Sequence, residues 1–255
     1  TVADVIQFID GFDHYTASHM VRKYNSQTMS PAIRTGRVSG NCLGISSTGN
    51  TIKSFSTGSQ AWRIGFALKL DSQTGSTFAM MHLRDGATVQ CDLSWIATTR
   101  KLQFSRNGTL LGSPSTTGLS TGTWYYIEFY ISIKDSISSG NAQLYINGVQ
   151  EINLAAATDT KNHSTTSADT FVINGAGFWD FNIDDLVISS MDDTTTPTFL
   201  GDQRVVTLWP DGNGTYSEFD GSDGNSTNNY LLLDETQNDD SDYVTSETVG
   251  ERDSY

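Results

Sequence analysis

Residues 119–154, LSTGTWYYIEFYISIKDSISSGNAQLYINGVQEINL, contain the pattern that decides the fold. Residues 124–133 and 142–154 are two apolar runs with a turn-rich stretch between them. Every second residue of the first run is apolar, which is the period that a strand with one buried face requires. Asn147-Gly148 interrupts the second run and favours the tight turn of a β-hairpin. The stretch therefore predicts a long antiparallel hairpin followed by a short one, the usual components of a β-sandwich.

The same alternation recurs along the chain, most strongly in residues 61–70, where Trp62, Ile64 and Phe66 share one face. About a dozen short runs of this kind are spaced regularly, and no sustained helical period accompanies them. Hydrophobic residues make up 36% of the chain, while glycine and turn-forming residues abound. This composition favours an all-β sandwich over an α/β design.

The charge of the chain is unevenly distributed. Residues 1–191 contain 14 acidic and 13 basic side chains, whereas residues 192–255 contain 15 acidic and only two basic ones. We therefore predict a β-sandwich over residues 1–190, a linker over 191–200, and an acidic, partly irregular C-terminal extension over 201–255. The extension has too few apolar residues for a core of its own, so we expect it to dock on the sandwich or on a neighbouring subunit.

Several classes of partner are disfavoured by composition. The chain has no cluster of lysine and arginine of the kind that binds phosphates, so we expect no nucleic-acid partner. No apolar run approaches the roughly 18 residues that suggest a transmembrane helix, so we expect no membrane insertion. Cys42 and Cys91 are too few for a disulfide framework. We predict that both are buried free thiols, with a single disulfide as the alternative.

Three segments resemble a known family. The pattern Leu-x-x-Gly-x-Trp-Tyr-Tyr-Ile-Glu followed by Leu-Tyr-Ile-Asn-Gly, in residues 119–148, resembles the concanavalin A-like (laminin-G-like) jelly-roll domains. Residues 182–188 resemble the closing strand of those domains. The opening Gly-Phe-Asp-His-Tyr and the later Gly-Asp-Gln-Arg-Val-Val are typical of tailed-phage virion proteins. The resemblance implies a concanavalin A-like β-sandwich (jelly roll) in a bacteriophage virion structural protein.

Such a protein would act through assembly as a tail, fibre or capsid-decorating module located in the virion. Its partners would be other virion structural proteins, further copies of itself, with a trimer as the first expectation, and a host-surface glycan bound with avidity. A stand-alone, lectin-like carbohydrate-binding domain is the alternative, and a polysaccharide-degrading enzyme is a less favoured one.

Catalytic patterns are hard to find in the sequence. A glycosidase needs two carboxylates beside the scissile bond, and the Glu-x-Asp-x-x-Glu string of concanavalin A-like glucanases does not occur. Glu128 stands alone on its predicted strand. Asp184 and Asp185 are adjacent, so a regular strand would point them to opposite faces. The four histidines are scattered. We therefore predict that the chain is not an enzyme and has no catalytic residues.

Aromatic residues offer candidate glycan contacts, because aromatic rings stack on sugar faces. The candidates are Trp95, Tyr126, Tyr130 and Trp179. Packing in the core is nevertheless the preferred interpretation for each of them, as it is for Trp124, because a large sandwich must fill two inner faces with aromatic residues.

Calcium is the one cofactor that the resemblance suggests, because laminin-G-like domains often hold it at the sandwich rim. Asp10, Asp13 and Asp184 are the candidate ligands, since calcium prefers carboxylate oxygens. Turn formation by aspartate and asparagine residues is the preferred explanation.

Overall fold

The computed structural model describes residues 4–135, 140–154, 158–191, 197–233 and 241–255. The chain divides into two compact units. Unit 1 comprises Thr1–Phe12 and Ala17–Val205, and unit 2 comprises Asp13–Thr16 and Val206–Tyr255. Residues 192–196 of the predicted linker lie outside the described residues, and the predicted domain boundaries stay predictions.

Unit 1 contains fifteen strands among its described residues. They are β1 (Val5–Asp10), β2 (Ser26–Gln27), β3 (Ala32–Thr35), β4 (Asn41–Ile45), β5 (Gly49–Ser59), β6 (Ala61–Gln73), β7 (Phe78–Asp85), β8 (Thr88–Ile96), β9 (Lys101–Arg106), β10 (Thr109–Leu111), β11 (Trp124–Ser132), β12 (Asn141–Ile146), β13 (Val149–Asn153), β14 (Ala168–Gly175) and β15 (Trp179–Met191). A 3₁₀ turn at Ala17–His19 leads into the single-turn helix α1, Met20–Lys23.

The strands form two antiparallel sheets. Sheet A has the order β13-β12-β11-β6-β15-β4-β3, with β1 also paired to β15, and sheet B has the order β10-β9-β8-β7-β14-β5-β2. The predicted hairpin forms the β11–β12–β13 end of sheet A. Asn147 and Gly148 have the positive φ angles, 51° and 79°, that its tight turn requires. The prediction of an all-β sandwich is confirmed.

The core lies between the two sheets. Phe129 of β11 contacts Phe66 within sheet A and Phe104 of β9 in sheet B, with ring centroids 6.4 and 6.0 Å apart. These rings come from the face that the alternation predicted to be buried. Each such side chain contributes about 1.5–3 kcal/mol through burial. Cys42 and Cys91 are free and buried, as predicted.

The outer face of sheet A is also covered. Residues 198–205, which we name the strap, run across it and bury Tyr126, Glu128 and Tyr130 on the second face of β11. The alternation in residues 201–210 favours a strand, but the described residues there form none. Side-chain carboxylates, rather than a neighbouring strand, accept the backbone N–H groups of the strap.

Unit 2 has little regular structure in its described part. Strands β16 (Asp220–Gly221) and β17 (Val244–Thr245) pair with each other, and residues Asn229–Leu232 form a 3₁₀ turn. Leu208, Tyr216 and Val249 are exposed. In neither unit do the described residues include a helix that is long and apolar enough to cross a membrane.

Candidate functional site

A pocket of about 450 Å³ opens on the outer face of sheet A, and we name it the arginine pocket. It is lined by Arg37, Val38, Trp124, Tyr126, Asn147, Asp202 and Arg204. Strand β11 supplies the two aromatic rings, and the β12–β13 turn supplies the amide. The loop between β3 and β4 and the strap supply the charged side chains.

Tyr126 lies flat across β6 because Gly65 leaves room for it. A Cβ atom at Gly65 would stand 2.5 Å from the Tyr126 hydroxyl oxygen, which is too close for a real contact. The hydroxyl is hydrogen-bonded to the backbone of Gln203. Burial, with the nearby charge of Glu128, raises the pKa of Tyr126, so the phenol stays protonated. The tyrosine is therefore neutral and held at a fixed position, and because it is only 3% exposed it forms the base of the pocket rather than a stacking surface.

Asn147 serves both the turn and the pocket. Its Oδ1 accepts the Tyr126 backbone N–H at 2.8 Å, and its own N–H donates to the Tyr126 carbonyl at 2.8 Å. Asparagine tolerates the left-handed conformation, which explains its place in the turn. The side-chain amide is thereby fixed beside the tyrosine ring at the wall of the pocket.

Arg37 is held by both aspartates of an adjacent pair. Its backbone N–H donates to Asp184 Oδ2 at 2.8 Å, and its Nη2 lies 2.8 Å from Asp185 Oδ2. The prediction that these carboxylates point to opposite faces is wrong. The pairing of β15 with β6 is irregular after Asp184, and Asp185 has a φ of 54°, so a β-bulge turns both side chains to Arg37.

Buried carboxylates anchor the strap. Glu128 accepts the N–H groups of Leu200 and Gly201 at 2.8 and 2.9 Å, and Asp185 accepts that of Val205 at 2.8 Å. Burial raises the pKa of Glu128, although the two amides oppose the shift. Burial likewise raises the pKa of Asp185, against the Val205 amide and Arg37. The strap thus holds Asp202 and Arg204 at the pocket through backbone contacts.

A cationic side chain lies beside each of the two aromatic rings that line the pocket. The Arg37 guanidinium lies 5.6 Å from the Tyr126 ring centroid, and the Lys69 ammonium lies 5.3 Å from that of Trp124. Arg204 is exposed, and among the described residues its hydrogen bond is to Ser39 Oγ at 3.3 Å. Trp124, interpreted from sequence as a core residue, is instead only half-buried. The pocket combines stacking surfaces with guanidinium donors.

The predicted glycan contacts do not lie together. Tyr126 lines the arginine pocket, but Trp95 and Trp179 are in the core, with ring centroids 4.7 Å apart. Tyr130 is buried beside Ala61 under Phe199 of the strap. These three rings have no free face for a sugar. Four of the lining residues, Arg37, Asn147, Asp202 and Arg204, were missed, because loop residues carry no periodic signal.

The predicted calcium ligands contact protein donors. Asp10 is fully buried and accepts hydrogen bonds from the Phe12 N–H, Lys23 Nζ and the Tyr24 hydroxyl at 2.9–3.0 Å. Asp184 accepts the backbone N–H groups of Arg37 and Asp185. Asp13 belongs to unit 2. No metal-binding group of three or more histidine, cysteine or acidic side chains occurs among the described residues. Calcium binding stays a prediction.

Two of the scattered histidines form pairs with aspartates. His82 Nδ1 hydrogen-bonds to Asp92, whose other oxygen accepts Ser105 Oγ at 3.0 Å. His163 Nδ1 lies 2.6 Å from Asp85 Oδ2. Hydrogen bonds from Thr165 and from His163 lower the pKa of Asp85. Such pairs arise from cross-strand and loop contacts, so sequence spacing does not indicate them.

Comparisons with known proteins identify solved structures with a similar β-sandwich fold. The sequence matches no known protein family and no curated protein. Alginate lyase Aly36B has a similar structure, with a TM-score of 0.51 and 11% identity over 74% of this chain and 96% of that one. Domain 4 of AbnA, a GH43 extracellular arabinanase from Geobacillus stearothermophilus solved with arabinotriose, has a TM-score of 0.53 and 15% identity, covering 75% and 96%. At this identity the likeness shows the fold.

The prediction that the chain is not an enzyme is wrong. Alginate lyases have this fold, in structures with and without alginate oligosaccharides. The absence of the glucanase motif therefore does not exclude catalysis, because enzymes other than glucanases, such as alginate lyase Aly36B, have this fold.

Proposed function

We propose that this chain is a carbohydrate-binding β-sandwich protein whose arginine pocket binds an anionic, uronate-type oligosaccharide. The observation that carries the proposal is that the half-buried ring of Trp124 and the exposed guanidinium of Arg204 line one pocket. The other polar groups of the lining are the Asn147 amide and an Arg37 guanidinium that is paired with the Asp202 carboxylate. Aromatic rings bind the apolar faces of sugars, while guanidinium groups pair with carboxylates. The similar structures solved with alginate oligosaccharides and arabinotriose support the carbohydrate class.

Charge favours an acidic sugar over a neutral one. Arg37 is paired with Asp185 and Asp202, so its charge is compensated within the protein. Arg204 is exposed, and its hydrogen bond among the described residues is to a serine hydroxyl rather than a carboxylate. Asp185 interacts with Arg204 electrostatically, but the exposed guanidinium still presents N–H groups from which a uronate carboxylate would accept hydrogen bonds at the pocket rim. Arg204 is therefore the residue expected to select the charged ligand.

Calorimetric titration of the full chain with alginate tetrasaccharide and with arabinotriose tests the proposal. We expect the tetrasaccharide to bind more tightly and to lose affinity as salt is raised. Arg204→Gln should weaken its binding about tenfold, the loss of one charge-assisted contact. Trp124→Ala should weaken the binding of both sugars. Chromatography of the same mixtures reports any cleavage.

A matched variant controls for general loss of charge. Arg252→Gln removes one positive charge of unit 2 at a residue that does not line the arginine pocket, and it should leave tetrasaccharide binding unchanged. If Arg204→Gln and Arg252→Gln had equal effects, the pocket would not be the binding site. Equal affinity for the two sugars would reject the anionic preference.

The finer assignment to a tailed-phage virion rests on the sequence resemblance. In that setting the pocket would attach the particle to a host-surface polysaccharide, and repeated copies, as in the predicted trimer, would raise the avidity. Mass spectrometry of purified particles tests the virion location, and light scattering of the purified chain tests the trimer.

A further inference from the structure

Unit 2 has a second pocket of different character, and we name it the tryptophan pocket. It has a volume of about 390 Å³ and is lined by Leu208, Trp209, Pro210, Asp211 and Tyr255. Its two aromatic side chains stay 36% and 43% exposed, and that of Leu208 stays 89% exposed. Other apolar residues of unit 2 are exposed as well, but these three line one pocket together, and a cluster of exposed apolar groups points to a binding role.

Hydrogen bonds hold one wall of this pocket in place. The N–H of Gly214 donates to the Ser254 carbonyl at 2.7 Å, and the N–H of Ser254 donates to the Tyr216 carbonyl at 3.0 Å. The Tyr255 hydroxyl donates to Asp253 Oδ2 at 2.7 Å. Burial and this carboxylate raise the pKa of Tyr255, so its ring stays a neutral phenol. The aromatic wall is therefore positioned by contacts within unit 2.

The segment that contains the tryptophan pocket is acidic in sequence. Residues 206–255 contain twelve acidic residues and one basic residue, Arg252. The Arg252 guanidinium lies 5.3 Å from the Tyr216 ring centroid, outside the tryptophan pocket. The only charged side chain that lines the pocket, within the described residues, is the carboxylate of Asp211. Acidic surroundings attract cations, and electron-rich rings bind them at their faces.

We infer that the tryptophan pocket binds an organic cation, an alkylammonium group, between Trp209 and Tyr255 and beside Asp211. Methyl or methylene groups around the nitrogen would contact the rings, Leu208 and Pro210, while the charge would be balanced by the carboxylate. The stacking of Arg252 on Tyr216 is an example of the same interaction within unit 2. This inference is independent of the function proposed for the arginine pocket.

Titration with choline, and with the uncharged analogue dimethylbutanol in which carbon replaces the nitrogen, tests the inference on the full chain. We expect choline to bind in the millimolar range and the neutral analogue to bind at least about tenfold more weakly. Saturation-transfer NMR suits this affinity range. Equal binding of the two compounds, or no binding of choline, would overturn the inference.

Variants locate the site. Trp209→Ala should abolish choline binding, and Asp211→Asn, which keeps the shape of the side chain, should weaken it about threefold through loss of the charge. Tyr243→Ala removes another exposed tyrosine of unit 2 and should change nothing. Unchanged binding in Asp211→Asn or Trp209→Ala would reject the site, and Asp211→Asn decides the question if Trp209→Ala fails to fold.

Discussion

The arginine pocket of unit 1 and the tryptophan pocket of unit 2 both place a tryptophan and a tyrosine beside charged groups, but their charges and supports differ. In the arginine pocket, Trp124 and Tyr126 project from β11, which is hydrogen-bonded to β6 on one side and β12 on the other. In the tryptophan pocket, Trp209 and Tyr255 lie outside any strand. Similar rings are therefore presented by a sheet in one unit and by irregular backbone in the other.

In the two proposals, the charged neighbours rather than the rings decide which ligand each pocket selects. An aromatic face is suited to a sugar as well as to a cation. In these proposals the exposed guanidinium of Arg204 favours an anionic sugar, whereas the carboxylate of Asp211 favours a cation. The support then decides how firmly the rings are held, because a strand in a sheet fixes its side chains more closely than a loop does.

The largest expected effect is a loss of tetrasaccharide binding on substitution of Gly65. This glycine of β6 lies under Tyr126 of the arginine pocket and is not among the residues of the tryptophan pocket. Gly65→Leu would place side-chain atoms where the Tyr126 ring now lies and would push the ring off β6. We expect alginate tetrasaccharide binding to fall about a hundredfold, the size of effect seen when a central contact residue is lost. Choline binding at the tryptophan pocket should not change. Calorimetry with both ligands measures the two effects on one protein.

The matched control for Gly65→Leu is Gly212→Ala. An added Cβ at Gly212 meets no atom within 4 Å, so neither fold nor tetrasaccharide binding should change. If Gly65→Leu bound the tetrasaccharide normally, the position of Tyr126 would not matter for binding. The sheet would then not be what makes the arginine pocket different from the tryptophan pocket.

The parts of unit 1 that follow local rules could be predicted from the sequence. The alternation in residues 124–133 determines β11, because the period of a strand is a property of neighbouring residues. The Asn147-Gly148 turn follows from the positive φ angles that these residues tolerate. Both features were predicted correctly, since neither depends on distant parts of the chain.

The arginine pocket itself depends on long-range contacts that the sequence does not indicate. Glu128 holds Leu200 and Gly201, which are more than 70 residues away in the chain. The strap covers the outer face of β11 and sheet B packs on its inner face, so both faces are buried and alternation could not separate Trp124 at the pocket from Trp95 in the core. The β-bulge at Asp185 likewise has no signal in a single sequence.

The second expected effect, intermediate in size, is a pH dependence of the free energy of unfolding. It comes from two buried carboxylates and should be confined to unit 1. Glu128 and Asp185 have raised pKa values, so the folded protein binds their protons more tightly than the unfolded chain does. Their contribution to the free energy of unfolding is fully present below the ordinary carboxyl pKa and is lost as the pH rises through the raised values. Urea unfolding at a series of pH values, followed by tryptophan fluorescence, measures this loss.

Glu128→Gln removes one of these titrating groups and is the test of its role. The wild-type chain should lose more stability than the variant does as the pH rises through this range. Parallel curves for the two proteins would mean that Glu128 titrates normally in the folded state. Burial of Glu128 beneath the strap would then have no effect on its pKa, and the stability of unit 1 would not depend on pH through this residue.

The smallest effect concerns Glu151 of β13, a carboxylate of unit 1 with the opposite response to pH. Its oxygens accept the N–H groups of Thr116 and Thr117 at 2.8 and 3.0 Å, together with both threonine hydroxyls. Burial would raise the pKa of Glu151, but these four donors outweigh it and lower the pKa. Its contribution is therefore present above the ordinary glutamate pKa and lost as the pH falls through the lowered value.

Glu151→Gln should lower the free energy of unfolding near neutral pH by about 1 kcal/mol, because an amide nitrogen cannot accept the hydrogen bonds that it replaces. Urea unfolding measures the change, and Glu247→Gln, at an exposed position in unit 2, should have no effect. Each variant removes one carboxylate, so its free energy of unfolding should differ from that of the wild type in a pH-dependent way. If the two differences changed with pH in the same direction, the two carboxylates would not have opposite pKa shifts. Opposite shifts would show that the number of donors around a carboxylate, set against its burial, decides how each part of the sandwich responds to acid.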